Sequence, residues 1–323
     1  MIGWKNWFVE HREGAKYCYL VNDVTFRRKR TRIRHRIEIL PDSDLSADIL
    51  FKSNLKLLIN KYVIARAKLI SDYYTPQYIS VEEVIIIEQA ATLATITNDL
   101  LPLHEKKVYQ ERFNVEYIHG TTSIEGNTLS NQQISDLFEY GLLPKNKTSR
   151  EVFEVKNFEA VLKYRSKYKG KITLRFIKTL HELITSNTDD DAPGVFRQHD
   201  RTIILGYDYP VCPSVLIEEE LHRIIAEYYD GVSQNKHPFE LAVLFHRNFE
   251  VIHPFSDGNG RVGREIFNYM ITRAGYPPML FLGKEREEYI SALCAGNEGE
   301  YKRMVEIFVR IYITLYQSLI SGG

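Results

Sequence analysis

The sequence predicts a mainly α-helical protein: a helical bundle carrying one short β-hairpin, preceded by a small β-containing N-terminal extension. Three observations carry that prediction. Apolar residues recur at spacings of three and four over most of the chain from Ser43 onward, as in helices that bury one stripe. β-prone runs are confined to the first forty residues and to a stretch between Pro193 and Pro213. Apolar residues make up 44% and charged residues 26% of 323, enough for a sizeable core and a length that allows about two domains.

Taken in order, residues 1–42 read as a β-rich basic extension. The runs 7–10 and 16–21 flank Arg12-Glu13-Gly14-Ala15 and predict a hairpin. Arg27, Arg28, Lys29, Arg30, Arg32, Arg34 and Arg36 follow, seven basic residues in ten positions. Two readings stand. The run is a nucleic-acid contact, or it is a strand with one solvated face, because Ile33, Ile37 and Ile39 alternate with the arginines.

Residues 43–102 read as an N-terminal helical region. Leu55, Leu58, Ile59, Tyr62 and Val63 keep helical spacing, and a second segment starts at Ser80 after Thr75-Pro76 breaks the first. Residues 103–323 form the predicted core domain. Helices are expected over 103–122, 131–140 after the cap Ser130, 150–168, 174–185 after Thr173, 216–229, 237–251, 260–273, 285–295 and 301–319. Between them, Pro193-Gly194 is turn chemistry and residues 201–206 are β-prone, which predicts an exposed hairpin.

Composition narrows the function classes. Lys plus Arg and Asp plus Glu both number 42, so no global field steers the chain to nucleic acid or an acidic membrane. Cys18, Cys212 and Cys294 form no CxxC pair, which argues against a disulfide framework or a zinc ribbon. No apolar run approaches the ~20 residues of a spanning helix, and no secretory pattern is read at the N-terminus. The expectation is a cytoplasmic protein.

The densest cluster of chemically useful residues runs from His253 to Arg264 and joins two predicted helices. Pro254 ends the first. The second starts near Gly260, so its free N–H groups aim back into the loop, and Gly258 and Gly260 let backbone approach an anion closely. Arg261 and Arg264 are three apart and share a helix face, with Asn268 a turn on, while Val262, Ile266, Tyr269 and Met270 form the apolar stripe. A triphosphate suits this arrangement. Asp257 suits Mg²⁺ against phosphate oxygens, and His253 suits deprotonation of an attacking hydroxyl at neutral pH. Singly, each residue is an ordinary cap, turn or surface arginine; together they are hard to assemble by accident. The formal GxGxxG at 258–263 is not a dinucleotide fingerprint, because the segment before it reads as helix, not strand.

These residues resemble the signature HxFx[DE]GNGRxxR of the Fic (filamentation induced by cAMP) family, met at every fixed position by His253, Phe255, Asp257, Gly258, Asn259, Gly260, Arg261 and Arg264. The likeness runs from about Tyr109 to the C-terminal helix. It implies a Fic-type helical bundle and transfer of AMP from ATP to a Tyr, Thr or Ser hydroxyl of a protein. It implies His253 as general base, Asp257 as Mg²⁺ ligand, and Gly258, Asn259, Gly260, Arg261 and Arg264 as the phosphate site. Tyr289 and Asn297 resemble the adenine and ribose region. Ile203, Ile204 and Leu205 resemble the flap that docks a target by strand pairing.

Upstream, Thr121-Thr122-Ser123-Ile124-Glu125-Gly126 resembles the family's inhibitory pattern, [ST]xxxE[GN]. Thr121 and Glu125 are four apart, which predicts a shared helix face with Gly126 stopping the helix. The resemblance implies that Glu125 pairs with Arg264 and denies it to the γ-phosphate. An intact Gly258-Asn259 favours AMP transfer over kinase-like relatives. Removal of AMP from a modified protein is the alternative at the same site, and a binding module acting through residues 27–36 is the alternative of another class. The expected partner is a protein substrate, the chain itself included; a homodimer is compatible with this reading.

Overall fold

A computed structural model describes residues 6–12, 15–39, 53–188, 193–200 and 211–322. It divides into two compact units, residues 1–102 with 312–323, and residues 103–311.

The first unit holds an antiparallel three-stranded sheet in the order β1 (Asn6–Arg12), β2 (Ala15–Phe26), β3 (Lys29–Ile39). In the register of β2 against β3, Tyr19 pairs with Arg36, Val21 with Arg34 and Asp23 with Arg32. One β3 face therefore carries Arg32, Arg34 and Arg36, all exposed, with Arg32 Nε 2.9 Å from Asp23 Oδ1. The other turns Ile33 and Ile37 onto buried Cys18, Leu20 and Leu58. Leu58 belongs to α1 (Leu55–Ser71), whose Val63 packs with Leu93 and Ile96 of α2 (Val81–Leu100). Ser80 starts α2 with a reciprocal capping box to Glu83. The predicted hairpin and alternating strand are both present.

The regular elements among the second unit's described residues are helices: α3 (Leu103–Ser123), α4 (Asn131–Tyr140), α5 (Ser149–Lys167), α6 (Leu174–Thr185), α7 (Ile217–Ser233), α8 (Pro238–Ile252), α9 (Asn259–Arg273), α10 (Arg286–Asn297) and the start of α11 (Tyr301–Gly322). Capping boxes at Ser130 and Thr148 fix the starts of α4 and α5. Among the described residues the chain has eleven α-helices, none long and apolar enough to cross a membrane. The predicted hairpin at 201–206 lies outside the described residues, and its neighbours 193–200 and 211–213 carry no strand.

Helix α9 is the axis of this unit. Residues 261–271 are all buried, with α8, α6 and α3 packed around them. Phe267 meets Phe239, Phe281 and Phe308 at ring separations of 5.6 to 5.8 Å, which accounts for the apolar side. The polar side is held by a buried network. Tyr117 of α3 donates to Glu265, while Arg165 of α5 donates to Glu265 Oε2 at 2.9 Å and to the Tyr117 hydroxyl at 2.7 Å. Asn268 bridges the same hydroxyl and the Met279 backbone. With every partner satisfied, the network sets the rotation of α9 about its axis and so aims the loop at its start.

Candidate active site

The loop begins where α8 is stopped. His253 caps the helix in the left-handed region, φ +48°, and Pro254 follows, which cannot continue a helix. A left-handed non-glycine residue persists only when its surroundings hold it. Here Arg197 does so: almost wholly buried, it donates Nε to the His253 carbonyl at 2.7 Å and Nη2 to the Ile252 carbonyl at 3.2 Å, while its backbone N–H reaches Pro254 O at 3.0 Å. Its remaining donors take the carbonyls of His199 and Cys212.

His181 fixes the middle of the loop. Its ring stacks on Phe255 with centroids 3.7 Å apart. Nδ1 accepts the Gly194 N–H at 2.8 Å, so Nε2 carries the proton and donates to Asp257 O at 3.1 Å. Asn259 staples the loop to itself, accepting from Phe255 N at 2.9 Å and donating to Phe255 O at 2.7 Å. Gly258, at φ +77°, is the N-cap of α9, and a Cβ there would lie 2.9 Å from Thr185 Cγ2. The result is a rigid helix start whose free N–H groups face a cleft of about 360 Å³.

That cleft brings together His253, Asp257, Gly258, Asn259, Gly260, Arg264, Glu125, Tyr289 and Asn297, residues distant in sequence. Burial lowers the His253 pKa to about 4, with Arg197 adding to the effect, so the imidazole is neutral at physiological pH. Burial lifts the Asp257 carboxyl, but Arg261, the Gly258 N–H and Arg150 outweigh it and hold the group below its ordinary range. Asp257 accepts from Gly258 N at 2.6 Å through Oδ1.

The two signature arginines have different surroundings. Both are about 1% exposed. Arg264 lines the cleft and is held by three contacts: Nε donates to Thr121 Oγ1 at 2.9 Å, and Nη2 to Thr121 O and Glu125 Oε1, each at 2.8 Å. Burial opposes its charge, yet Glu125 and Tyr289 hold its pKa above the ordinary value. Arg261 is not among the cleft-lining residues. Its Nη1 lies 3.2 Å from Glu154 Oε1 and its Nη2 3.2 Å from Asp257 Oδ1.

Glu125 is reached by a different route from the one expected. Helix α3 ends at Ser123, so Thr121 and Glu125 do not share a helix face. The side chains of Thr122 and Ser123 bond back to carbonyls of their own helix, the Asn127 N–H returns to Thr122 O, and Gly126 turns the chain at φ +96°. Arg286 then secures the turn through Ile124 O at 3.0 Å. Gly260 completes the fit, since a Cβ there would collide with the Glu125 carboxylate.

Several residues of the site carry little sequence signal. Arg247 and Glu250 line the cleft six and three residues before His253, a helical spacing that points back along α8 from the loop. Glu250 is part-buried beside His246, 3.9 Å from its Nδ1, and desolvation lifts its pKa to about 8. His181 and Arg197 have no local signal. Ile203, Ile204 and Leu205 lie outside the described residues.

These shifts predict a pH dependence of stability. Burial lowers His181 to about 4, His246 to about 3 and His253 to about 4. Between roughly pH 6.5 and 4 the unfolded chain takes up protons that the folded chain refuses, so stability falls on acidification, by up to about 1.4 kcal/mol per pH unit for each proton. Glu250 acts in the opposite sense: protonated when folded, it gives up its contribution as pH rises through about 8. Thermal midpoints measured from pH 4 to 9 are expected to peak between these limits and to decline on the acidic side, where a flat profile would contradict the burial of the three imidazoles.

Residues 171–271 match the model of the Fic/DOC family. The chain is 31% identical over 194 residues to proteins named protein adenylyltransferase fic-1 from Caenorhabditis briggsae and Caenorhabditis elegans, and 30% identical over 218 residues to protein adenylyltransferase Fic from Aedes aegypti. Those matches cover 58 to 65% of this chain but only 38 to 41% of the relatives' length. Among solved structures, a Fic domain containing signaling protein from Bacteroides thetaiotaomicron superposes with a TM-score of 0.65 at 21% identity, covering 74% of this chain and 98% of that one. Fic-1 from C. elegans superposes at 0.59 and 22%, covering 85% and 87%. The fold, the signature loop and the family match agree: residues 171–271 of this chain match the Fic/DOC family, within a helical unit that has the fold of Fic-domain structures.

Proposed function

We propose that the chain is a protein adenylyltransferase that moves AMP from ATP to a hydroxyl of a protein, and that Glu125 restrains it by occupying Arg264. The observation that carries the reading is a neutral His253 in one cleft with a helix N-terminus and a buried arginine. The names of the relatives support the same activity.

The chemistry follows from what each group can do. A substrate hydroxyl oxygen attacks the α-phosphorus, His253 accepts the hydroxyl proton, and the bond between the α-phosphorus and its bridging oxygen breaks to release pyrophosphate. N–H groups at the start of α9 stabilise charge on the phosphate oxygens, and Arg264 orients the distal phosphates once Glu125 releases it. Tyr289 and Asn297, which also line the cleft, suit the nucleoside.

Among the described residues no group of three or more His, Cys, Asp or Glu side chains forms a metal cage. A single part-exposed carboxylate held below its ordinary pKa still fits Mg²⁺, an ion that keeps several waters and takes its other ligands from phosphates. Asp257 would hold it. Mg²⁺ supplies neutralisation of phosphate charge when bound. Removal of AMP from a modified protein is a second reading, favoured by the Glu125 carboxylate at the cleft wall, where it suits the orientation of a water molecule.

ATP labelled at the α-phosphate and, separately, at the γ-phosphate tests the reaction class. Protein label from the α position only is the expected result. Label from the γ position would replace AMP transfer with a kinase reaction.

A further inference from the structure

Both carboxylate oxygens of Asp257 are engaged by arginines in this chain. Its Oδ1 faces Arg261 at 3.2 Å, and its Oδ2 accepts from Arg150 Nη2. Arg150 also sends Nε to Glu154 Oε1 at 3.3 Å, and Glu154 Oε1 lies 3.2 Å from Arg261 Nη1. The four side chains close a ring of two cations and two anions, built from two i,i+4 pairs, Arg150 with Glu154 and Asp257 with Arg261.

The two arginines of the ring are not equivalent. The Arg261 side chain is 2% exposed and part of the α9 core; that of Arg150 is 56% exposed. Arg150 also sits in the first turn of α5, where the helix dipole disfavours a cation, so helix stability does not explain its position. Its partner across 107 residues is the carboxylate assigned to the divalent ion.

We propose that Arg150 is an internal stand-in for the divalent cation: it holds the Asp257 carboxylate until an ion arrives, and it must let go for the ion to be coordinated. The inference rests on the reading of Asp257 as the cation ligand. A neutral ring becomes doubly positive when a divalent ion joins it, whereas a ring without Arg150 starts at one negative charge and attracts the ion. Arg150 therefore lowers affinity for the free ion and raises the dependence of loading on an accompanying triphosphate, whose negative charge offsets the displaced guanidinium.

The probe is Mn²⁺, whose free concentration is read by electron paramagnetic resonance in titrations of the whole chain, with and without a non-transferable ATP analogue. Arg150→Ala is expected to tighten Mn²⁺ binding about two- to fivefold without nucleotide, the range expected from losing one part-exposed ion pair. The gain should shrink when the analogue is present. Arg150→Lys is expected to fall between wild type and Arg150→Ala, and Asp257→Asn to abolish the site. Unchanged or weaker binding by Arg150→Ala, with the site still lost in Asp257→Asn, overturns the stand-in role alone. Binding that survives Asp257→Asn overturns the metal reading of Asp257 and the inference with it.

Discussion

Replacing Glu125 with glycine is expected to raise AMP transfer by on the order of 10²-fold at saturating ATP. The magnitude follows from geometry. Arg264 spends three donor contacts on α3 and its exit turn, with Nη2 shared between Thr121 O and Glu125 Oε1. A triphosphate that reaches this arginine competes with a carboxylate 2.8 Å away, inside a site where charge is little screened. A nucleotide denied the contact binds off the line of attack, and small misplacements of the α-phosphorus cost rate heavily. Removing the carboxylate leaves the Thr121 contacts in place, so Arg264 stays aimed while one donor becomes free. Single-turnover rates measure this directly. A variant no faster than wild type, with ATP bound equally well, would place the restraint elsewhere.

His253→Ala in the Glu125→Gly background is expected to lower transfer by about 10²- to 10⁴-fold, the range supplied by a positioned base, with ATP affinity changed little. The backbone of residue 253 sets the φ +48° turn, and Arg197 grips its carbonyl, so the imidazole itself is what the substitution removes. With the pKa near 4, the acidic limb of the wild-type rate profile should fall well below the ordinary histidine range near 6.5. A limb near 6.5, or a variant that retains full rate, would assign the proton transfer to another group.

Much of this molecule is local and therefore readable. Helices α4 and α6 follow from Ser130 and Thr173 as caps, and the anion site follows from residues 253–264 because a helix stop, two glycines and a helix start are all sequence-adjacent. The alternation of Ile33 and Ile37 with arginines becomes a strand with one solvated face. What escaped depends on distant partners. Nothing near Arg197 announces that it will secure the turn at His253, and nothing near Arg150 points to Asp257. Burial of Arg261 and Arg264 is also invisible locally, because it requires Glu154 to be delivered by α5 and Glu125 by the turn after α3. Helix α3 ends at Ser123, one residue past the predicted 122, but the spacing from Thr121 to Glu125 does not become a shared helix face, because Thr122 and Ser123 direct their hydroxyls to the preceding turn and Gly126 turns the chain.

The central claim is that one cleft transfers AMP and that Glu125 restrains it. The measurement that meets it most directly is protein-bound label after incubating wild type, Glu125→Gly, and Glu125→Gly with His253→Ala, each with Mg²⁺, α-labelled ATP and a cell extract. The account predicts weak label with wild type, strong label with Glu125→Gly and background label with the double variant. Equal label in all three, or none in any, would contradict it.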